Sequence, residues 1–501
     1  MDNFVRLCVI RSLSQQFEGR VELRAVHVNG FPQLGVSGED LAIHFDGRTD
    51  LPPLIHVDKF TFGLGMLAIL RFPRHVSSVR IENMTITIPP REDKRNPKTS
   101  GTRKANKQIS SVILDEVTCT DTTIVTLPSK AEPGKPPKAP LEWAIHDLNL
   151  TAAGVGKPFH FHGTLTNAKP QGEIDTSGDF GPWNLDDPGL TNVSGAYKFT
   201  DADLGPFPGI AGILSSTGRF TGELAELQVD GQTDTPDFSL DKIGRPVPLH
   251  TEFRATVDGT NGNTLLHPVH ATLVRSLIIA EGSVIQDPEN RGHTIVVNFG
   301  VPNARIQDIL SLAVNSDKPL LTGTVKIKGK LVVPPSHAKA LEKLILDGEF
   351  GIDEARWSSQ EVREKLQALS RRAVGKPADQ GAGSAVSDLR GNFHVEKGIV
   401  NFSSLTFSVP GAAIDLTGTY QLAGGALDFN GHLRLQAKLS QTVTGAKSFF
   451  LKAVDPFFKK DGAGALVPIS ITGTREHTTI GVTIFHKTVE KKLGGAKSSF
   501  Q

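Results

Sequence analysis

Two places in the 501-residue sequence hold residue types that could do chemistry. His160-Phe161-His162 sets two imidazoles on one face of an extended strand, a spacing zinc can use, but no third ligand or paired carboxylate stands nearby in sequence. Asp258-Gly259-Thr260-Asn261-Gly262-Asn263 has the outline of a calcium loop. Thr260, however, occupies a position that needs Asp or Asn, and the later bidentate Glu is absent. The plain readings are a strand and a turn. Cys8 and Cys119 stand far apart and outside any CxxC pairing, so they define neither a zinc knuckle nor a disulfide framework. No GxSxG, HExxH, Walker loop or dinucleotide fingerprint occurs. The expectation is no catalytic residue, no metal and no cofactor.

The elements that would carry any site are strands. From Leu427 to Leu439 every odd position (Leu427, Phe429, Gly431, Leu433, Leu435, Ala437, Leu439) is apolar or Gly and every even one is polar, the pattern of a one-faced strand thirteen residues long. Shorter alternating runs precede it: Val400 and Phe402; Leu405, Phe407 and Val409; Ile414, Leu416, Tyr420 and Leu422. Pro410-Gly411 and Gly424-Gly425 separate them, so the spacing predicts an antiparallel meander. A sheet apolar on one face must cover it with a second sheet, with helices, or with something that is not protein.

Charge is balanced, 54 Lys plus Arg against 53 Asp plus Glu, so no global field favours nucleic acid. No run reaches the roughly 18 apolar residues of a membrane span. Helical spacing is read at Phe4 to Phe17, Leu64 to Leu70, Asn303 to Val314, Ala338 to Leu346 and Glu354 to Val374. A parity switch near Glu82-Asn83 predicts a bulge or turn. Arg91 to Lys107 carries seven basic residues and reads as a loop, and Pro128 to Pro140 holds five prolines and reads as extended. Lys326, Lys328 and Lys330 line one polar strand face. After Leu439 the period becomes helical: Phe449, Phe450, Phe457 and Phe458 interleave with Lys447 and Lys452, a segment that either caps a sheet or lies on a membrane surface. The segments fall into residues 1–127, 141–335 and 336–501.

The motifs of the C-terminal third resemble those of AsmA-like proteins of Gram-negative-type envelopes, relatives of TamB and, more distantly, of chorein-type bridge lipid transporters. They are Leu369-Ser370-Arg371-Arg372, Asp388-Leu389-Arg390-Gly391-Asn392-Phe393, Phe402-Ser403-Ser404-Leu405-Thr406-Phe407 with Pro410-Gly411-Ala412, and Leu416-Thr417-Gly418-Thr419-Tyr420. Lys447-Ser448-Phe449-Phe450, Val454-Asp455-Pro456-Phe457-Phe458, Gly462-Ala463-Gly464 and Pro468 to Thr474 continue the likeness. Asp234 to Phe238 and Asp258 to Gly262 carry it more weakly.

The resemblance implies a mainly β fold, a long twisted antiparallel sheet curled into an open half-pipe with an apolar lumen and a few short amphipathic helices. It implies a periplasmic location, an inner-membrane anchor, and movement of phospholipid toward the outer membrane without catalysis. Partners would be phospholipids, membrane surfaces and envelope proteins. The groove residues expected are Phe407, Ile414, Leu416, Leu427, Phe429, Leu433, Leu435 and Leu439, and changing Leu433 and Leu435 to Asp is expected to abolish lipid retention while sparing secondary structure. The alternative is an assembly factor for outer-membrane biogenesis, including outer-membrane protein assembly, with a closed β-sandwich interior. Members of the family usually open with a transmembrane helix that this sequence lacks, so the reading frame upstream of Met1 is expected to encode about 20 apolar residues behind Lys or Arg.

Overall fold

A computed structural model describes residues 2–17, 20–29, 34–44, 52–64, 74–76, 78–88, 112–127, 140–154, 158–182, 188–207, 209–240, 243–287, 292–312, 314, 316, 318–335, 340–376, 386–442, 464–474, 477–484 and 487–494. The protein is mainly β. In chain order the described strands are β1 Val21–Asn29, β2 Leu34–Ile43, β3 Ile55–Leu64, β4 Arg74–Val76, β5 Ser78–Ile88, β6 Val112–Thr126, β7 Leu141–Gly154, β8 Phe159–Ala168, β9 Gln171–Phe180, β10 Asn192–Asp203, β11 Ile210–Ala211, β12 Ile213–Glu223 and β13 Glu226–Leu240. They continue as β14 Ile243–Val257, β15 Thr264–Leu273, β16 Ser276–Gln286, β17 His293–Arg305, β18 Leu321–Val333, β19 Ile345–Trp357, β20 Ser387–Glu396, β21 Ile399–Val409, β22 Ala412–Gln421, β23 Ala426–Leu435, β24 Ala465–Thr474, β25 His477–Ile484 and β26 Lys487–Gly494. Among the described residues four α-helices accompany them: α1 Asp2–Phe17, α2 Ile306–Leu310, α3 Ala340–Lys343 and α4 Gln360–Ala373. The strands belong to one sheet, and among the described residues no pairing closes it, since β1 pairs with β2 and β26 with β25. The chain forms two compact units: Met1–Phe207 with Ile213–Asp234 and Ala255–Gly262, and Pro208–Gly212 with Thr235–Arg254 and Asn263–Gln501.

In the first unit β1, β2, β3 and β5 pair antiparallel in turn, and β6 through β10, β12 and the first part of β13 continue the ladder. The expected antiparallel order has one exception, because β4 and β5 run parallel to β6. Parallel neighbours need a crossover that carries the chain back to the starting end, which a short turn cannot do. The parity switch does not come from a register shift: Glu82 opposite Lys59 and Met84 opposite Val57 keep one register, and the irregularity is Asn83 itself, whose φ is 52°. Asp40 and Asp121 adopt the same left-handed conformation on β2 and β6, tolerated because a short polar side chain can bond locally. Helix α1 lies where the spacing predicts it and packs Val5, Val9 and Ile10 against Leu23, Val26, Val57 and Phe60. Arg6 Nη1 donates to the Leu23 carbonyl at 2.9 Å. Cys119 is buried between Val79 and Val117, and that burial pushes its thiol pKa up, as expected of an inert structural cysteine.

The second unit is a meander in which β15 through β26 pair antiparallel with their sequence neighbours wherever both strands are described. Three readings of the spacing need correction. The strand that opens at Ala426 stops at Leu435 instead of running to Leu439, because the Ala437 N–H donates to the Ala373 carbonyl at 2.7 Å and leaves the ladder. Leu439 falls in a 3-10 turn, Leu439–Thr442. Glu354 to Trp357 complete β19, and α4 begins only at Gln360, where Ser359 accepts from the Val362 N–H at 3.4 Å as N-cap. Likewise α3 ends at Lys343, and Leu346 is already in β19. Helix α2 is five residues within the expected Asn303 to Val314 span. The helix read at Leu64 to Leu70 falls almost wholly outside the described residues, Leu64 itself closing β3, and the loop from Arg91 to Lys107 lies outside them.

Candidate functional site

One face of the second unit's meander is a continuous apolar wall. Across β24, β23, β22, β21, β20, β19 and β18 the register sets Val467, Leu433, Ile414, Phe407, Leu389, Ile352 and Val325 side by side. Two residues along each strand, the next row is Ile469, Gly431, Leu416, Leu405, Gly391, Phe350 and Ile327. Alternation sends the intervening residues to the other face, which is ionic. There Arg390 Nη2 pairs with Asp353 at 3.1 Å, Lys326 with Asp353 at 3.7 Å, Lys328 with Glu349 at 4.0 Å and Arg434 with Asp415 at 2.5 Å.

Phenylalanines line the wall in a file. The Phe429 and Phe402 rings lie 5.7 Å apart, Phe402 and Phe393 6.4 Å, and Phe393 and Phe350 6.3 Å, all tilted. Glycines make the file possible. Gly418 stands between Phe429 and Phe402 in the register, so their rings meet over a strand that offers no side chain. A Cβ on Gly348 would sit 2.5 Å from the Phe393 ring. Along this file the wall consists of rings lying on bare backbone.

Of the expected groove residues, Phe407, Ile414, Leu416, Leu427, Phe429, Leu433 and Leu435 share this face. They do not share one environment. Leu433, Leu435 and Phe407 pack with Leu366, Leu369 and Ala373 of α4, which covers that end of the wall. Helix α2 covers the same end further along, its Ile306, Ile309 and Leu310 against Val325 and Ile352. The Leu433 and Leu435 to Asp change thus strikes a helix-packing cluster, and loss of α4 docking would accompany any loss of ligand. Toward the other end, among the described residues, no helix packs on Phe393, Phe402 or Tyr420, which are half-buried. Phe350, Phe393 and Ile327 also belong to the wall and were not among the expected groove residues, nor were Phe402 and Leu405, although both are apolar positions of the alternating runs. Phe449, Phe450, Phe457, Phe458, Lys447 and Lys452 lie outside the described residues.

The residues with chemical promise do other work. His160 pairs with Asp179, and His162 with Asp175 at 3.2 Å, so each imidazole has a carboxylate across the strand pair. Among the described residues no group of three or more His, Cys, Asp or Glu could hold a metal. The Asp258 carboxylate accepts from the Thr260 Oγ at 2.5 Å, the Thr260 N–H at 2.9 Å and Asn261 Nδ2 at 2.6 Å, closing its own turn. Those bonds, the Thr260 hydroxyl first, hold its pKa low.

On the ionic face, His394 Nδ1 lies 2.6 Å from Asp347 Oδ1. That hydrogen bond chiefly, with Glu396 behind it, raises the His394 pKa above its ordinary 6.5. A raised imidazole contributes stability that is full below the unfolded value and is lost as pH rises through the folded one. The pair is solvent-exposed, so the readout is the titration itself: the His394 ring resonances should titrate above the ordinary midpoint, and Asp347→Asn should return the midpoint toward it. An unmoved midpoint would refute the assignment.

The fold and its wall define a class, a mainly β protein built on an unclosed sheet with one apolar face. Comparison with protein-family models, curated proteins and solved structures finds no match to this chain. Among the described residues no helix is long and apolar enough to cross a membrane.

Proposed function

We propose that the protein is an AsmA-like envelope protein of the periplasm that binds phospholipid acyl chains on the apolar wall and conducts them between inner and outer membranes, with no catalytic step. The observation that carries this reading is the end of the wall that no helix covers among the described residues, where half-buried Phe393, Phe402 and Tyr420 continue from the buried Leu416 and Phe429. A contiguous apolar surface beyond a few hundred Å² is uncommon on a soluble monomer and marks a place where something apolar binds. Each buried CH₂ contributes about 0.8 kcal/mol, and a wall of uniform chemistry holds a chain without fixing its position along the sheet. Head groups would remain in water, and direction would follow from the donor and acceptor membranes. Native mass spectrometry of gently purified protein tests this reading: phospholipid adducts are expected. The helices α2 and α4 seated on one end of the wall favour a second reading, an assembly factor whose apolar face is closed by protein. Lipid-free protein would support that one.

A further inference from the structure

Two glycines on the ionic face of the second unit have no steric reason to be glycine. Gly300 and Gly351 lie inside β17 and β19, and neither has a left-handed φ. Both keep regular register, Gly300 opposite Ile279 and Lys328 and Gly351 opposite Lys326 and Arg390, so neither is a bulge residue. A Cβ on Gly300 would meet nothing within 4 Å, and one on Gly351 would meet only Arg390 Cγ, at an ordinary 3.8 Å. The wall's glycines differ, since a Cβ on Gly391 would press into the Phe350 ring at 2.8 Å. Glycine inside a strand costs stability, and where neither packing nor a bulge demands it, it marks a place that a ligand approaches closely.

Both glycines open onto one hollow of about 640 Å³, a volume inside the range of about 300–1,000 Å³ for small-molecule sites. Its cations and carboxylates are already matched to one another. Asp353 lies 3.1 Å from Arg390 Nη2 and 3.7 Å from Lys326 Nζ, and Glu349 lies 4.0 Å from Lys328 Nζ. Asn392, Ser404 and Thr406 add neutral donors and acceptors, and Ile279 and Pro302 add an apolar patch beside Gly300.

With three cations against two carboxylates, such a lining does not call for an anion. Strands β17 to β21 are each paired on both sides, so the hollow offers no free edge to a peptide strand. A sugar hydroxyl suits it. Its oxygen accepts from an ammonium or guanidinium while its hydrogen goes to the neighbouring carboxylate, and an adjacent hydroxyl repeats the pattern at the next ion pair. The C–H face of the ring can then lie on bare backbone at Gly300, beside Ile279 and Pro302.

We propose that this hollow binds a neutral oligosaccharide, with Glu349 and Asp353 accepting from its hydroxyls, Lys326, Lys328 and Arg390 donating to them, and Gly300 and Gly351 leaving room for the ring. The site lies on the face opposite the apolar wall and does not depend on the lipid reading.

Saturation-transfer NMR and calorimetry of the full chain with chitotriose, maltotriose and, as the peptide control, N-acetyl-trialanine amide test it. At least one of the two saccharides is expected to bind once per chain, with an affinity that salt does not weaken, as a neutral ligand requires. Gly300→Val with Gly351→Val should abolish that binding, and the double variant should melt no earlier than the native chain, because a β-branched residue suits a strand. Gly300→Val alone, where the added Cβ meets nothing, keeps the test open if the pair misfolds. Asp353→Asn should weaken binding at least about tenfold, the effect of losing charge-assisted hydrogen bonds. Phe393→Asp, on the other face, should leave it unchanged, which tells a failed groove from a failed hollow. Silence from both saccharides, or saccharide binding that survives in the folded glycine variants, overturns the site. Binding of the peptide as tight as that of the saccharides overturns the ligand class.

Discussion

Phe393→Asp combined with Phe402→Asp leaves the protein folded and reduces co-purifying phospholipid at least about tenfold, the change expected when more than ~1.4 kcal/mol of binding is removed. Both rings are half-buried on the part of the wall that no described helix covers, so each new carboxylate can remain hydrated in the empty protein. Occupancy by an acyl chain would strip that water, and an unpaired carboxylate resists transfer to hydrocarbon by several kcal/mol. The penalty therefore falls on the bound state. Native mass spectrometry reads the adduct and circular dichroism reads the fold. A folded variant with undiminished lipid would place the binding elsewhere. Leu433→Asp with Leu435→Asp should behave differently, since both residues pack with Leu366, Leu369 and Ala373 of α4 and the fold itself would suffer.

Gly431→Val is expected to be the most destabilising single change on the wall, by about 3 kcal/mol or more, the upper range for overpacking. An added Cβ would stand 1.8 Å from the Asp415 carbonyl oxygen and 2.9 Å from Leu416 Cα, so backbone, not a movable ring, must yield. Gly431 pairs with Leu416 on one side and Ile469 on the other, the residues at the centre of the wall's buried cluster. Gly348→Val is the matched control, because there the obstruction is the Phe393 ring edge, which can swing away. Urea melts of the two variants measure the difference. Equal midpoints would mean that the sheet is looser at Gly431 than its geometry indicates.

Period-two alternation made the meander and its apolar parity legible, because side-chain direction in a strand is fixed by counting. The same counting ran β23 four residues too far: Leu439 keeps the parity, and only the Ala437 N–H leaving for Ala373 reveals that the ladder has ended. Helical spacing found α1 and α4 but absorbed Trp357 into α4. An aromatic at a strand end satisfies either period, and its true setting, Nε1 donating to Ser387 Oγ at 3.2 Å, is a long-range contact. The parallel turn of the sheet at β5 and β6 was hidden for the same reason, since alternation is blind to direction. For the candidate site, Phe429 and Leu416 were evident from their own strands. Phe350 and Phe393 were not, because the file of rings depends on cross-strand register with Gly391, Gly418 and Gly348, which no single strand encodes.

The most direct test of the central claim is to locate the acyl chain. The protein should be loaded with a phospholipid carrying a photoactivatable diazirine on its acyl chain, irradiated, digested and sequenced by mass spectrometry. The lipid-conducting account predicts adducts on wall positions of β20 to β23, at Phe393, Phe402, Tyr420 and Phe429, and none at Arg390, Thr417 or Asp428 on the ionic face. Adducts confined to the ionic face, or an absence of adducts from protein shown to be folded, would contradict it.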